Sequence, residues 1–138
     1  MNTKFAIKIM LWLIAAFTIF HLAILLKIIP YEITWGGRLK NDFEMYVFET
    51  ISIAINLFLG LVLLIKGKYV KQILPIKFVN LILWAFLVLF ILNTIGNIVA
   101  KTNFEKFFAI TTLSFTILLW IILNKNKKLR THNKTYSA

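Results

Sequence analysis

Four long apolar runs, at residues 9–29, 45–65, 78–100 and 104–123, constrain this chain more than any other feature. Each matches the roughly 20 residues that cross a bilayer. None has the alternation of a half-buried strand or the stripe of a soluble surface helix. Backbone groups in hydrocarbon must be satisfied within the segment, so each run is expected to be a helix. The expected fold class is therefore all-α, an integral membrane four-helix bundle. Four spans use roughly 80 residues and leave only short loops and tails in a chain of 138. A single transmembrane domain with a basic tail at 124–138 is expected, and no separate soluble domain.

The opening "MNTKFAIKIMLWLIAAFTIFHLAILLK" is basic at its start like a signal peptide. Its apolar stretch is nevertheless about 18 residues long and no A-x-A cleavage site follows, so a retained first span is expected. Local signals mark the other ends. Asn41 and Glu44 in "NDFE", and Thr102 and Glu105 in "TNFE", have capping-box spacing and predict the starts of the second and fourth helices. Pro30 is expected to end the first helix, Gly67 to stop the second, and Pro75 to begin the third.

Orientation follows from Lys and Arg near the spans. The amino terminus, the loop between spans two and three, and the tail together hold eleven; the two other loops hold five. Both termini are therefore expected in the cytoplasm. Glu32, Asp42, Glu44 and Glu105 all fall in or beside the outer loops, and the inner side has no acid. The tail "KNKKLRTHNK" then reads as a topology determinant lying near anionic headgroups.

The formal charge of +11 does not point to nucleic acid, because the basic residues flank apolar runs and do not form a soluble face with interleaved aromatics. With no cysteine, disulfides, thiolate metal sites and cysteine nucleophiles are excluded. The sequence also lacks a phosphate loop, a hydrolase elbow and any cofactor motif.

An ionisable residue inside a span is costly, so each is a candidate for function. His21 and Glu49 are the two clear cases. Counted from the expected span ends, His21 lies roughly 12 Å deep and Glu49 roughly 6 Å deep, both on the outer side. Glu49 is two turns beyond the cap at Asn41, so a helix N-terminus does not account for it. Lys27, Arg38 or His21 would favour its charged form as neighbours.

Ser52 and Asn56 share the helical face of Glu49, which continues to Gly60. Asn93 and Asn97 lie near the outer end of span three, and Thr111, Thr112 and Ser114 in the outer half of span four. The inner halves read "LVLLI" and "LLWIIL", with Asn80 the main exception. This distribution is expected of a pocket opening outward. It is equally expected of hydrogen bonds joining helices, at about 0.6 kcal/mol each. In the first outer loop "WGGR" supplies a tight turn, with Trp35 suited to the interface and Arg38 to a carboxylate or phosphate. It reads as an interfacial turn or as a lid. One buried histidine and one glutamate fall short of a usual metal ligand set.

The stretches "IIPYEITWGGRL" and "MYVFETISIAINLF" resemble small uncharacterised bacterial four-span membrane proteins, over spans one and two. The resemblance implies a bacterial inner membrane and leaves the activity open. Length and span count are also similar to small multidrug transporters, whose essential acid lies in the first span; here that span carries His21 and no acid.

Three functions fit these residues. The first is binding of a small or lipid-like ligand by Glu49, His21, Arg38, Trp35, Ser52, Asn56, Asn93 and Asn97, with the bundle a subunit or accessory of a membrane complex. The second is a homodimeric proton-coupled transporter using Glu49. The third is a quinone- or lipid-linked enzyme, for which acid and base groups are present but no nucleophile.

Overall fold

A computed structural model describes residues 2–33, 39–99 and 103–135, with the side chains of all of these except 33, 103–105 and 125–135. Among the described residues all regular structure is helical: α1 (Thr3–Leu25), a single 3-10 turn (Tyr31–Ile33), α2 (Asp42–Lys66), α3 (Ile76–Ile98) and α4 (Asn103–Thr135). Four helical stretches are long and apolar enough to cross a membrane, the last being Lys106–Asn124 within α4. The protein is an all-α membrane four-helix bundle. Its helices form a ring in which α1 packs on α2 and α4, and α3 on α2 and α4.

The main core recurs at three- and four-residue spacing on every helix. Ile7, Met10 and Ile14 of α1 meet Leu59, Val62 and Leu63 of α2, Leu83 and Leu87 of α3, and Leu119 and Ile122 of α4. Helical periodicity puts each set on one face. All these positions belong to the half of the bundle nearest the amino terminus and the α2–α3 loop. Between helices in lipid, packing supplies the attraction that burial supplies in water. An aromatic chain extends that packing: Phe17 of α1 contacts Phe115 of α4 edge-on, and Phe115 stacks on Phe90 of α3 at 4.8 Å and 9°. Large apolar side chains such as Trp12, Ile19, Phe78 and Leu92 stay exposed around the outside. Such a surface suits hydrocarbon, whereas in water it would drive association.

The ends of the helices refine the expectations from sequence. α1 stops at Leu25, before Pro30, because Lys27 turns left-handed with φ 57°. The Lys27 N–H then donates to the Ile24 carbonyl, and the Ile28 N–H to the Ala23 carbonyl. α2 ends in the same way. Gly67 keeps a right-handed conformation, and the left-handed residue is Lys68, with φ 60°. Lys68 N–H bonds Ile65 O, and Tyr69 N–H bonds Leu64 O. These are the paired bonds of a Schellman motif, which satisfies carbonyls that a helix end leaves open.

Gly67 matters for a different reason from the one its position suggests: a Cβ there would lie 2.5 Å from the Tyr69 ring. α3 begins after Pro75, as expected. α4 runs past the expected end of its span to Thr135. Its "KNKKLR" segment consists largely of good helix formers and has no glycine or proline to stop it.

Candidate functional site

The loop between α1 and α2 is anchored at both ends. Asn41 caps α2, its side chain accepting from the Glu44 N–H at 2.9 Å. Glu44 reaches back one residue further than a standard capping box and accepts from the Lys40 N–H at 2.8 Å. Thr102 and the side chain of Glu105, which form the second expected box, lie outside the described residues.

Lys27 pairs with Asp42, the first residue of α2, and its ammonium lies 5.6 Å from the centre of the Tyr46 ring. The hydrogen bond that Lys27 donates to Asp42 is the main cause of its raised pKa, opposed in part by desolvation. Lys27 is thus engaged by the helix-terminal acid, and Glu49, two turns further along α2, takes a different partner. Beneath the loop, Ile24, Leu39 and Met45 form a small second core, with Phe20, Ile29 and Tyr31 packed against it.

His21 and Glu49 meet just inside this cluster. His21 Nδ1 lies 2.6 Å from Glu49 Oε2. The carboxylate residue is fully buried at 0% exposure, while the His21 side chain retains 19%. The partly accessible member is the histidine. His21 sits four residues before the end of α1, roughly 6 Å along the axis, and Glu49 seven residues into α2, roughly 10 Å. Their contact puts both side chains at one level of the bundle, where the apolar runs implied different depths, because α1 ends earlier and α2 starts earlier than those runs. One proton occupies the contact, carried either as the imidazole N–H donating to a carboxylate or as a carboxyl O–H donating to the imine nitrogen. Two titratable groups sharing a proton inside a membrane protein can exchange it or present it to a third group.

The remaining expected site residues divide. Ser52 returns its hydroxyl to the Phe48 carbonyl at 2.9 Å. Asn56, two turns further along α2 than Glu49, has a buried Nδ2 with no hydrogen-bond partner. Asn93 is exposed and Asn97 half-buried. The polar group that α3 turns into the bundle at this level is Thr94, at 7% exposure. Its hydroxyl oxygen lies 2.9 Å from that of Thr112 on α4. Trp35 and Arg38, and with them the lid reading of "WGGR", lie outside the described residues.

Two further pairs escape a reading of the sequence. Lys27, expected as a possible neighbour of Glu49, pairs instead with Asp42. Lys66, buried at 8% exposure, donates to the Asn80 side-chain oxygen across α2 and α3. The isolated polar position of Asn80 among apolar residues was the signal for that bond. Among the described residues no three metal-ligating side chains come together. Comparison of the chain with protein-family models, curated proteins and solved structures finds no match.

Proposed function

We propose that this protein, lying in a bacterial cytoplasmic membrane with both termini inside, binds a small or lipid-like ligand at the outer end of the α1–α2 pair. The observation that carries this reading is the contact of His21 with the fully buried Glu49. Burying a carboxylate is costly; Glu49 lies two turns past the cap at Asn41, beyond the reach of the helix end, and Lys27 is engaged by Asp42. In this reading His21, the accessible member, receives the ligand, and Glu49 fixes its ring and its proton. The unpaired Asn56 amide offers a donor further in. Asn93, Asn97 and Ser52 contribute less directly.

The test is mass spectrometry of molecules that copurify with the protein in mild detergent, comparing wild type with Glu49→Gln and His21→Ala. A ligand retained by wild type and lost from both folded variants supports the reading. Equal retention in all three overturns it.

A second reading, proton-coupled transport by a homodimer, is favoured by the shared proton of the same pair. Its measure is proton-linked flux in liposomes together with the oligomeric state in nanodiscs. Strictly monomeric protein without flux eliminates it.

A further inference from the structure

At the opposite end of the same helix pair, α1 and the end of α2 leave an open groove of about 370 Å³, lined by Lys8, Leu11, Trp12, Ala15, Leu64 and Tyr69. Lys8, Leu11, Trp12 and Ala15 recur at three- and four-residue spacing, so they form one face of α1. That face extends over roughly 10 Å of helix, shorter than the roughly 15 Å half-thickness of the hydrocarbon core.

The other wall follows from the end of α2. The left-handed turn at Lys68 and the Tyr69 N–H bond to Leu64 O bring Tyr69 back over the last turn of the helix. A Schellman end commonly packs these two positions together, and here Leu64 and Tyr69 both line the groove. Gly67 leaves room for the Tyr69 ring, which a Cβ would obstruct at 2.5 Å. The groove is thus a product of the helix stop.

Its chemistry is divided along its length. One end carries the exposed cation Lys8, with Lys4 one turn before it on α1 and Lys68 beside Tyr69. The middle and far end are aliphatic and aromatic. A cation at the headgroup level above an apolar channel complements an amphiphile with an anionic head and a hydrocarbon tail. Inorganic phosphate would leave the apolar part unused, and a neutral lipid would leave Lys8 unused.

We propose that this groove binds one anionic phospholipid of the leaflet on the basic side of the membrane, with Lys8 against the phosphate and the first part of an acyl chain along Leu11, Ala15 and Leu64. The assignment depends on the groove and its charge, and is independent of the ligand at His21 and Glu49.

The experiment places the full-length protein in nanodiscs of mixed phosphatidylglycerol and phosphatidylcholine and determines by native mass spectrometry which lipids stay bound after release. Wild type retains phosphatidylglycerol in preference to phosphatidylcholine. Lys8→Ala lowers that preference about fivefold, the worth of one lysine near an anionic surface. Ala15→Trp, which fills the groove from a lipid-facing position, lowers retention of both lipids. Lys77→Ala removes an exposed cation from the same end of the bundle outside the groove lining and leaves the preference unchanged. The proposal is overturned if wild type shows no preference, if Lys77→Ala matches Lys8→Ala, or if Ala15→Trp retains lipid as wild type does.

Discussion

His21 of α1 and Glu49 of α2 are joined Nδ1 to Oε2 at 2.6 Å, between the small core under the first loop and the main core of the bundle. Because the two side chains share one proton, their contributions to stability are coupled. A double-mutant cycle with His21→Ala and Glu49→Gln, read by chemical unfolding in micelles, is expected to give a coupling energy of about 1 to 3 kcal/mol. Additive effects would show that the contact has no energetic content.

Thr94 and Thr112 link α3 to α4, but with a smaller expected effect. The Thr94 hydroxyl also lies 2.7 Å from the Phe90 carbonyl, and that of Thr112 lies 3.0 Å from the Phe108 carbonyl. The Thr112 hydroxyl also lies 3.2 Å from the Ala109 carbonyl, so two hydroxyl protons serve four contacts and the interhelical bond competes with bonds inside each helix. Thr94→Val and Thr112→Val are expected to couple by about 0.6 kcal/mol in the same unfolding assay. A coupling several times larger would mean that the back-bonds do not compete.

Lys27 should be the alkaline marker of the first loop. Its folded pKa is raised above the ordinary 10.5, chiefly by the hydrogen bond to Asp42. A raised pKa means that the folded state holds the proton more tightly. The resulting stabilisation is complete below about 10.5 and disappears as pH climbs through the higher folded value. Carbon-13 NMR of labelled lysine side chains should show Lys27 titrating above 10.5, with Asp42→Asn bringing it back to the ordinary value. An unchanged midpoint in Asp42→Asn would remove Asp42 as the cause.

The end of α2 predicts opposite signs at adjacent residues. Lys68 holds a left-handed conformation that costs a side-chain-bearing residue about 1 to 2 kcal/mol, and glycine would relieve that strain while adding disorder to the unfolded chain. Lys68→Gly is expected to stabilise by about 0.5 kcal/mol. Gly67→Ala should destabilise, since its Cβ meets the Tyr69 ring. Thermal unfolding of the two variants decides the matter, and the same sign for both would contradict the geometry.

Orientation is open to a direct measurement. Reporter fusions in the α2–α3 loop and after residue 135 should report the cytoplasm, and a fusion in the loop between α1 and α2 the opposite side. Reversed signals would place the His21–Glu49 end inside the cell.

The four helices were legible in the sequence because each condition for them is local. An apolar run of sufficient length must form a helix in hydrocarbon, and the Asn41–Glu44 cap needs only residues within one turn. Which polar groups meet is a different kind of question. Asn93 and Asn97 were as visible in the sequence as Thr94, yet it is Thr94 that faces Thr112, because the rotation of α3 is set by the fit of Leu83 and Leu87 into the main core. Lys27 was expected as a possible neighbour of Glu49 and takes Asp42, at a left-handed turn that no glycine announces. His21 and Glu49 were each conspicuous as ionisable residues inside a span, and that much composition and spacing determined. Their union required α1 and α2 to be neighbours, rotated so that both side chains enter one interface at one level. Helix packing alone decided that, since a sequence specifies which face of a helix is polar but leaves open which other face it will meet.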